Sequence, residues 1–321
     1  MSISAAVIRR LAVFLATLLI ASLIIFTLVQ ALPGNVAQAT LGMGATPEAV
    51  AELSRRWGLD QPFINRYWDW LFALIQGDLG HSYATGLGVG QQLAPRLGVT
   101  AWLLVWSLPI ACAVALPLGM MAAMWRRRRR GFVVNAITQV GFAVPVFFAG
   151  SILVIVFALK LGWLPANGYV SITSSPAAWA SHLLLPVATI AIVQACFFAR
   201  YVRSSFIDVM VEDYYRTARA IGWTRWRGLI RHGLRNAATS LLTVVGLQVA
   251  NLLVGAILVE KVFVLPGLGS LLMSAVAAHD LAVVQVIVML LVAVVLLINL
   301  LVDIAYLLVD PRLAGRAGGG L

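Results

Sequence analysis

The chain has 321 residues, of which 61% are hydrophobic and only 11% are charged, and its formal net charge is +11. This composition excludes a soluble globular protein, and apolar runs long enough to cross a hydrocarbon core of roughly 30 Å predict an all-α polytopic membrane protein. The strands of a transmembrane β-barrel would be segments of about ten residues with alternating polarity, a pattern that the sequence lacks. Cys112 and Cys196 fall inside apolar runs and are predicted to be small core residues.

Six apolar runs predict six transmembrane helices, near residues 11–32, 99–124, 132–159, 183–199, 237–259 and 281–309. The first run follows Arg9 and Arg10 and precedes Ala37-Gln38-Ala39, as in a cleavable signal peptide. Its 22 residues exceed the roughly 7–15 of a signal h-region, so we expect an uncleaved first span. Pro145 lies inside the third run, where proline is tolerated if neighbouring helices satisfy the freed backbone groups.

The distribution of arginine predicts how the chain is oriented, because lysine and arginine accumulate in short cytoplasmic loops. With both termini in the cytoplasm, 17 of the 23 basic residues lie on that side, including Arg126–Arg130 and eight arginines between Arg200 and Arg235. Topology therefore explains the basic charge, and no nucleic-acid partner is needed. We expect Arg126–Arg130 to lie at the headgroups, attracted to anionic membrane lipids, rather than to form a specific site.

Two long loops separate the predicted spans. The loop 33–98 contains Thr46-Pro47, typical of a helix N-cap followed by proline at the first helical position, and an aromatic-rich stretch that favours an interfacial amphipathic helix. The cytoplasmic loop, 200–236, is polar and basic. The predicted organisation is an N-terminal helix (1–32), an extracytoplasmic loop region (33–98), a five-helix core (99–310) and a cytoplasmic tail (311–321).

Groups that would drive catalysis or transport are missing from the sequence. A phosphate-binding P-loop needs a Gly-Lys-Ser/Thr element, and neither of the two lysines, Lys160 and Lys261, stands in one. The four histidines are far apart, and Asp303 is the single carboxylate well inside a predicted span. We therefore predict no catalytic residue and no metal site. Glu260, beside Lys261, either lines a vestibule or forms a solvated pair of opposite charges.

The stretch EDYYRTARAIG, residues 212–222, is a polar island in the cytoplasmic loop. Helical spacing predicts a narrow apolar stripe formed by Tyr214, Thr217, Ala218 and Ile221, and Arg216 and Arg219 flank it. Asp213 is an acid near the N-terminus that complements the helix dipole, and Gly222 is a glycine that ends the helix. Two interpretations stay open: a membrane-surface segment, or a docking helix that enters a groove on a cytoplasmic partner.

The island and its continuation, DYYRTARAIGW…LIRHGLRNA, resemble the EAA-type loop of ABC-importer permeases, specifically the B-type subunit of oligopeptide/dipeptide importers. Further motifs of that family follow in order along nearly the whole chain: WGLDQPF, GDLGHSYATG, LGWLPANGY, HLLLPVATIA, GLQVANLLVGAILVEKVFVLPGLG and NLLVDIAYLLVDPR. The resemblance implies a type I ABC importer permease fold in the bacterial cytoplasmic (inner) membrane. The chain departs from the family at Arg216 and Thr217, which replace the motif's glutamate and first alanine, and at Ser240, which replaces a usual proline.

The resemblance also implies an assembly in which this chain is non-catalytic and carries no cofactor. A second homologous permease forms the other half of the pathway, two cytoplasmic ATPases bind ATP and Mg²⁺, and an external binding protein delivers di- or oligopeptides. Residues Tyr214–Gly222 would be the coupling helix in the ATPase cleft, and VFVLPGLG (262–269) a short re-entrant piece. The candidate pathway or gate residues are Pro145, Glu260, Pro266 and Gly267.

Functions of other classes stay open at this point. One is a proton-coupled secondary transporter that acts alone, and another is a membrane scaffold whose cytoplasmic helix only recruits a protein. The substrate is open too, because permeases of this family also serve importers of nickel chelates, glutathione or haem.

Overall fold

The structure, a computed structural model, describes residues 3–30, 36–41 and 44–309. The predicted tail 311–321 and residues 31–35 lie outside this description. Most of the described residues are helical and none of them forms a named β-strand, which confirms the all-α prediction. In chain order the helices are α1 (Ile3–Gln30), α2 (Val36–Leu41), α3 (Pro47–Arg56), α4 (Phe63–Ile75), α5 (Val89–Met124), α6 (Arg129–Ala143), α7 (Val146–Leu153), α8 (Pro176–Val211), α9 (Asp213–Ala220), α10 (Arg225–Gly228), α11 (Leu234–Val262), α12 (Leu268–Ala277) and α13 (Leu281–Val309).

Five of these helices, α1, α5, α8, α11 and α13, are long and apolar enough to cross a membrane. A sixth candidate span consists of α6 together with α7, which continues as a π-helical segment to Lys160. The six spans predicted from the sequence therefore all correspond to helices in the described residues. Helix α11 runs unbroken through Ser240, so the missing proline leaves the helix regular at this position.

The third predicted span, 132–159, is not one straight helix, because α6 and the α7 segment meet at an angle of 104°. Pro145 occupies the N-cap position of α7, and the backbone of Val144 before it is extended, with ψ 123°. A proline ring disfavours the helical conformation of the preceding residue, and here this preference ends α6. Pro145 therefore lies at the bend of a broken span and not within one uninterrupted helix, whereas Pro186 lies inside α8.

The chain divides into two units, and helix α8 is central to the unit built mainly from Thr100–Leu265. The neighbouring helices approach α8 closely at two glycines. A Cβ added at Gly119 of α5 would lie 2.6 Å from the side chain of Val202. A Cβ added at Gly141 of α6 would lie 2.4 Å from Cys196 Sγ. Small residues at such positions let membrane helices pack closely. Cys196 is buried at one of these contacts, as predicted.

The other unit consists of Ser4–Val99 and Pro266–Leu300, and it contains the predicted capped helix. The Thr46 hydroxyl oxygen accepts the Ala49 backbone N–H at 3.3 Å, directly before the proline that begins α3. A second contact joins α4 to α1, where the Tyr67 and Ser22 hydroxyl oxygens lie 2.9 Å apart.

Asp280 holds a loop of this second unit in place through hydrogen bonds. Its side chain is 4% exposed, and its carboxylate accepts hydrogen bonds from the Ser82 hydroxyl and, at 3.2 Å, from the Tyr83 backbone N–H. A buried carboxylate is stable only with such partners, so this contact fixes the loop between α4 and α5 onto the residue that precedes α13.

Candidate functional site

The polar island predicted to couple to a partner forms α9. Asp213 lies in its first turn, where a negative charge interacts favourably with the helix dipole. Arg216 Nη1 approaches Asp213 Oδ1 to 3.7 Å, but both side chains are largely exposed, so this ion pair contributes little to stability. The Thr217 hydroxyl donates a hydrogen bond to the Asp213 backbone carbonyl oxygen at 3.0 Å. The island is therefore a short helix, held mainly by backbone hydrogen bonds.

Gly222 ends this helix as the sequence predicted. Its φ is +93°, in the left-handed region that glycine adopts without strain. The Trp223 N–H donates to the Ala218 carbonyl at 3.1 Å, and the Gly222 N–H donates to the Arg219 carbonyl at 3.2 Å. These two bonds are the pair that defines a Schellman motif, which satisfies the last carbonyl groups of the helix.

The two faces of α9 have different surroundings. Tyr214 is 41% exposed and Ile221 is 70% exposed, and Thr217 between them is exposed as well. Ala218, which the sequence places on the same stripe, is instead buried, and so is Tyr215. The exposed part of the predicted stripe therefore consists of Tyr214, Thr217 and Ile221.

Tyr215 anchors α9 to the rest of its unit. A Cβ added at Gly228 would lie 2.9 Å from the Tyr215 ring, so α10 can approach this ring only because residue 228 is glycine. Tyr215 belongs to one buried cluster with residues of α5, α8 and α11, among them Phe206 of α8, and with Leu229, the residue that follows α10. This anchor could not be predicted from the sequence, because a contact between separate helices leaves no local pattern.

The chain passes from α9 into the spanning helix α11 by a nearly continuous helical path. Thr224 caps α10 by accepting the Arg227 N–H at 3.3 Å, and the Arg227 guanidinium lies 5.0 Å from the centre of the Trp223 ring. Helix α10 continues as a π-helical segment, Leu229–Gly233, which leads directly into α11. The basic stretch that follows α9 therefore forms a short helix joined to the span.

Glu260, a candidate pathway residue, is completely buried, with 0% of its surface exposed. It accepts the hydroxyl hydrogen bond of Thr100 in α5 at 2.5 Å, whereas the neighbouring Lys261 is exposed. The interpretation of Glu260 and Lys261 as a solvated pair of opposite charges is therefore wrong. Glu260 instead forms a polar contact between α5 and α11.

The other three candidate pathway residues lie at ends of helices. Pro145 stands at the 104° bend between α6 and α7. Pro266 and Gly267 belong to the other unit, directly before α12, and Gly267 is the N-cap residue of that helix. Non-helical backbone at membrane depth is tolerated only where protein or water covers it. Both helix interruptions therefore need such cover in a membrane-spanning protein.

Comparison with known proteins identifies the family. A family model described as "Binding-protein-dependent transport system inner membrane component" matches residues 115–315, and the model of the corresponding N-terminal part matches residues 4–104. A probable peptide ABC transporter permease of Sinorhizobium fredii is 37% identical over 310 residues, which cover 96% of this chain and 98% of that protein. The glutathione transport system permease GsiC of Escherichia coli is 38% identical over 307 residues, with the same two coverages. These matches confirm the resemblance seen in the sequence, and the chain belongs to the inner-membrane permeases of binding-protein-dependent ABC transport systems.

Proposed function

We propose that the chain forms one half of the translocation pathway of an ATP-driven importer for di- and oligopeptides in the bacterial cytoplasmic membrane. The peptide class is supported by the relative from Sinorhizobium fredii, described as a peptide permease, and by GsiC, described as a permease for glutathione, which is itself a short peptide. A second homologous permease supplies the other half, and an external binding protein delivers the peptide. Two ATPases bind ATP and Mg²⁺, while this chain contributes no catalytic group and no cofactor.

The arginine distribution supports an orientation with both termini in the cytoplasm. The loop 200–236, with α9 and α10, then faces the compartment that holds ATP. The loop region 33–98 and the start of α12 face the binding protein. This orientation gives each partner a separate surface of the chain.

The observation that carries the coupling proposal is the division of α9 into an exposed and an anchored face. Tyr214, Thr217 and Ile221 are available to an ATPase, whereas Tyr215 is packed into the cluster that includes α8 and α11. Because the Schellman bonds hold the end of α9, a force on its exposed face moves the helix as a body. The buried Tyr215 side chain transmits this displacement to the spanning helices, because a closely packed interior has low compressibility.

The pathway candidates take different parts in this proposal. Pro145 and the pair Pro266-Gly267 interrupt helices, and we assign them to places where the pathway wall bends or opens. Glu260 does not face the pathway in this proposal, because its carboxyl group is buried against Thr100. We assign it instead the task of holding α5 and α11 together while the wall moves.

Reconstitution of the purified importer into vesicles tests this function. Vesicles with both permeases, the ATPases and the binding protein should accumulate a labelled peptide when ATP is supplied, and a proton gradient alone should drive no accumulation. Vesicles with this chain alone should be inactive under both conditions. Accumulation by the chain alone under a proton gradient would show a secondary transporter and refute the proposal. Mass spectrometry of the ligand retained by the purified binding protein then identifies the peptide, or replaces it with a different substrate class.

A further inference from the structure

Five arginines from two distant segments of the chain surround one cavity of about 450 Å³. Three belong to the turn between α5 and α6, and two come from α9 and α10: Arg126, Arg127, Arg128, Arg219 and Arg225. All of the residues that line the cavity lie within the first unit, and none of them is a carboxylate. We call this place the arginine cavity.

The arginine cavity lies at the end of two spanning helices. Its lining includes Met124, the last residue of α5, and Met210, next to the last residue of α8. The apolar run of α5 ends at Met124, which places this side of the cavity at the depth of the lipid headgroups, and α8 reaches the cavity through the part of the helix that continues beyond its predicted span. Ala123, the two methionines and Tyr215 add apolar side chains to a lining that otherwise consists of arginines.

The first group of arginines is held by a tight turn. The Arg128 N–H donates to the Trp125 carbonyl at 2.8 Å, and the Gly131 N–H donates to the Arg128 carbonyl at 3.0 Å. A Cβ added at Gly131 would lie 2.0 Å from the Trp125 carbonyl oxygen, so only glycine permits this return of the chain. The turn therefore presents its arginines from a fixed backbone.

The second group is held by the end of α9. The Arg219 guanidinium donates to the Trp223 carbonyl oxygen, and the Schellman bonds at Gly222 fix the same residues. Thr224 caps the helix that carries Arg225. Two groups of arginines, each carried by a backbone with its own hydrogen bonds, thus line one cavity.

Five positively charged side chains around one cavity favour the binding of an anion. None of the five arginines forms an ion pair with a carboxylate in the part of the chain that the structure describes. Like charges that share a site repel each other, and a bound anion removes this repulsion. Guanidinium groups present forked pairs of N–H donors that match the oxygens of a phosphate group.

From these observations we propose that the arginine cavity binds the phosphate-bearing headgroup of an anionic phospholipid. The guanidinium groups bind the phosphate oxygens, and the two methionines lie against the glycerol and the first methylene groups. From the sequence alone, Arg126–Arg130 are expected to attract anionic lipid in general and to form no specific site. The structure separates this run, because Arg126, Arg127 and Arg128 line the cavity whereas Arg129 and Arg130 do not.

The site has a consequence for coupling, because α9 takes part in it. Arg219 and Tyr215 line the arginine cavity, whereas Tyr214 and Ile221 are exposed outside its lining. A bound headgroup therefore holds α9 against the end of α5, while the other face of α9 stays exposed. Lipid binding itself does not depend on the proposed transport function and can be measured on the purified chain.

The test compares two pairs of substitutions with equal change of charge. The full chain is purified in detergent and titrated with phosphatidylglycerol, with phosphatidylcholine as the neutral reference, and native mass spectrometry counts the bound lipids. R126Q/R127Q should weaken phosphatidylglycerol binding by about 30-fold, which at 1.4 kcal/mol per tenfold corresponds to roughly 1 kcal/mol for each arginine. R129Q/R130Q, the matched control from the same run, should change binding by less than about threefold.

A second comparison tests the other group of arginines. R225Q should weaken phosphatidylglycerol binding, whereas R231Q, which removes an exposed arginine outside the cavity lining, should not. Equal losses from the lining pair and the control pair, with both variants as thermally stable as the parent chain, would show attraction without a site and overturn the proposal. Inorganic pyrophosphate distinguishes the source of the phosphate: it lacks the apolar part and should not displace the lipid at matched concentration. Full displacement would assign the cavity to a soluble phosphate instead.

Discussion

Replacement of Gly222 by alanine isolates the contribution of the helix end to coupling. No atom lies within 4 Å of a Cβ built at Gly222, so the substitution creates no clash. It forces an L-residue to keep φ near +93°, which costs about 1–2 kcal/mol in the left-handed region. An energy of this size lowers the population of the capped helix about 5- to 30-fold relative to frayed forms. We expect Ile221 and its neighbours to lose their fixed position.

Gly162 provides a matched control for this substitution. Its φ is +64°, and a Cβ there also meets no atom within 4 Å, but it lies between α7 and α8. Gly222→Ala and Gly162→Ala should therefore lower the thermal stability of the chain by similar amounts. In vesicles with the complete importer, only Gly222→Ala should reduce the peptide transported per ATP hydrolysed. Gly222→Asn should retain more coupling, because asparagine tolerates the left-handed conformation. Equal transport ratios for the two alanine variants would refute the role of the helix end.

Three further substitutions test contacts elsewhere. Tyr215→Ala removes the buried anchor of α9 and should lower the free energy of unfolding by about 3–5 kcal/mol, seen as a lower Tm in detergent, whereas Tyr214→Ala should have a small effect on Tm. Thr100→Val removes the hydroxyl that donates to buried Glu260 and should cost about 1–3 kcal/mol; an unchanged Tm would mean that this hydrogen bond is dispensable. Asp280→Asn gives the Ser82 hydroxyl and the Tyr83 N–H a poorer acceptor, and limited proteolysis should cut the loop between α4 and α5 faster than in the parent chain.

Features with a local cause were predicted from the sequence. The apolar runs specify the spans, because an uninterrupted apolar stretch of this length has few alternatives to a membrane helix. Thr46 before Pro47 and Gly222 after α9 are end signals that act through their own backbone geometry, and both stand where the sequence placed them. The helix on the polar island was predictable for the same reason.

Features that depend on contacts between helices were not predicted. Pro145 ends a helix while Pro186 does not, and no local rule separates these two prolines, because the surrounding helices decide whether the freed backbone groups are satisfied. For Glu260 the sequence left two alternatives, a vestibule residue and a solvated pair with Lys261, whereas in the structure Glu260 is buried against the Thr100 hydroxyl of another helix.

The face of α9 was predicted only in part, because helical periodicity gives a stripe without saying which side the protein covers. Tyr215 is the buried tyrosine and Tyr214 the exposed one, although both are equally apolar in the sequence. The close approach of Gly228 decides between them, and this contact exists only in the folded chain. The arginine cavity likewise joins segments that are far apart in the sequence.

The central claim, that α9 meets an ATPase through its exposed face, is tested most directly by site-specific cross-linking in the assembled importer. Cys112 and Cys196 are replaced by serine, and a single cysteine is placed at Ile221, 70% exposed, or for comparison at Ile75 of α4, 72% exposed. A reagent that joins cysteine to lysine should link the cysteine at residue 221 to an ATPase subunit and leave the cysteine at residue 75 unlinked to it. Equal cross-linking from both positions, or none from residue 221 in an importer that transports peptide, would contradict the account.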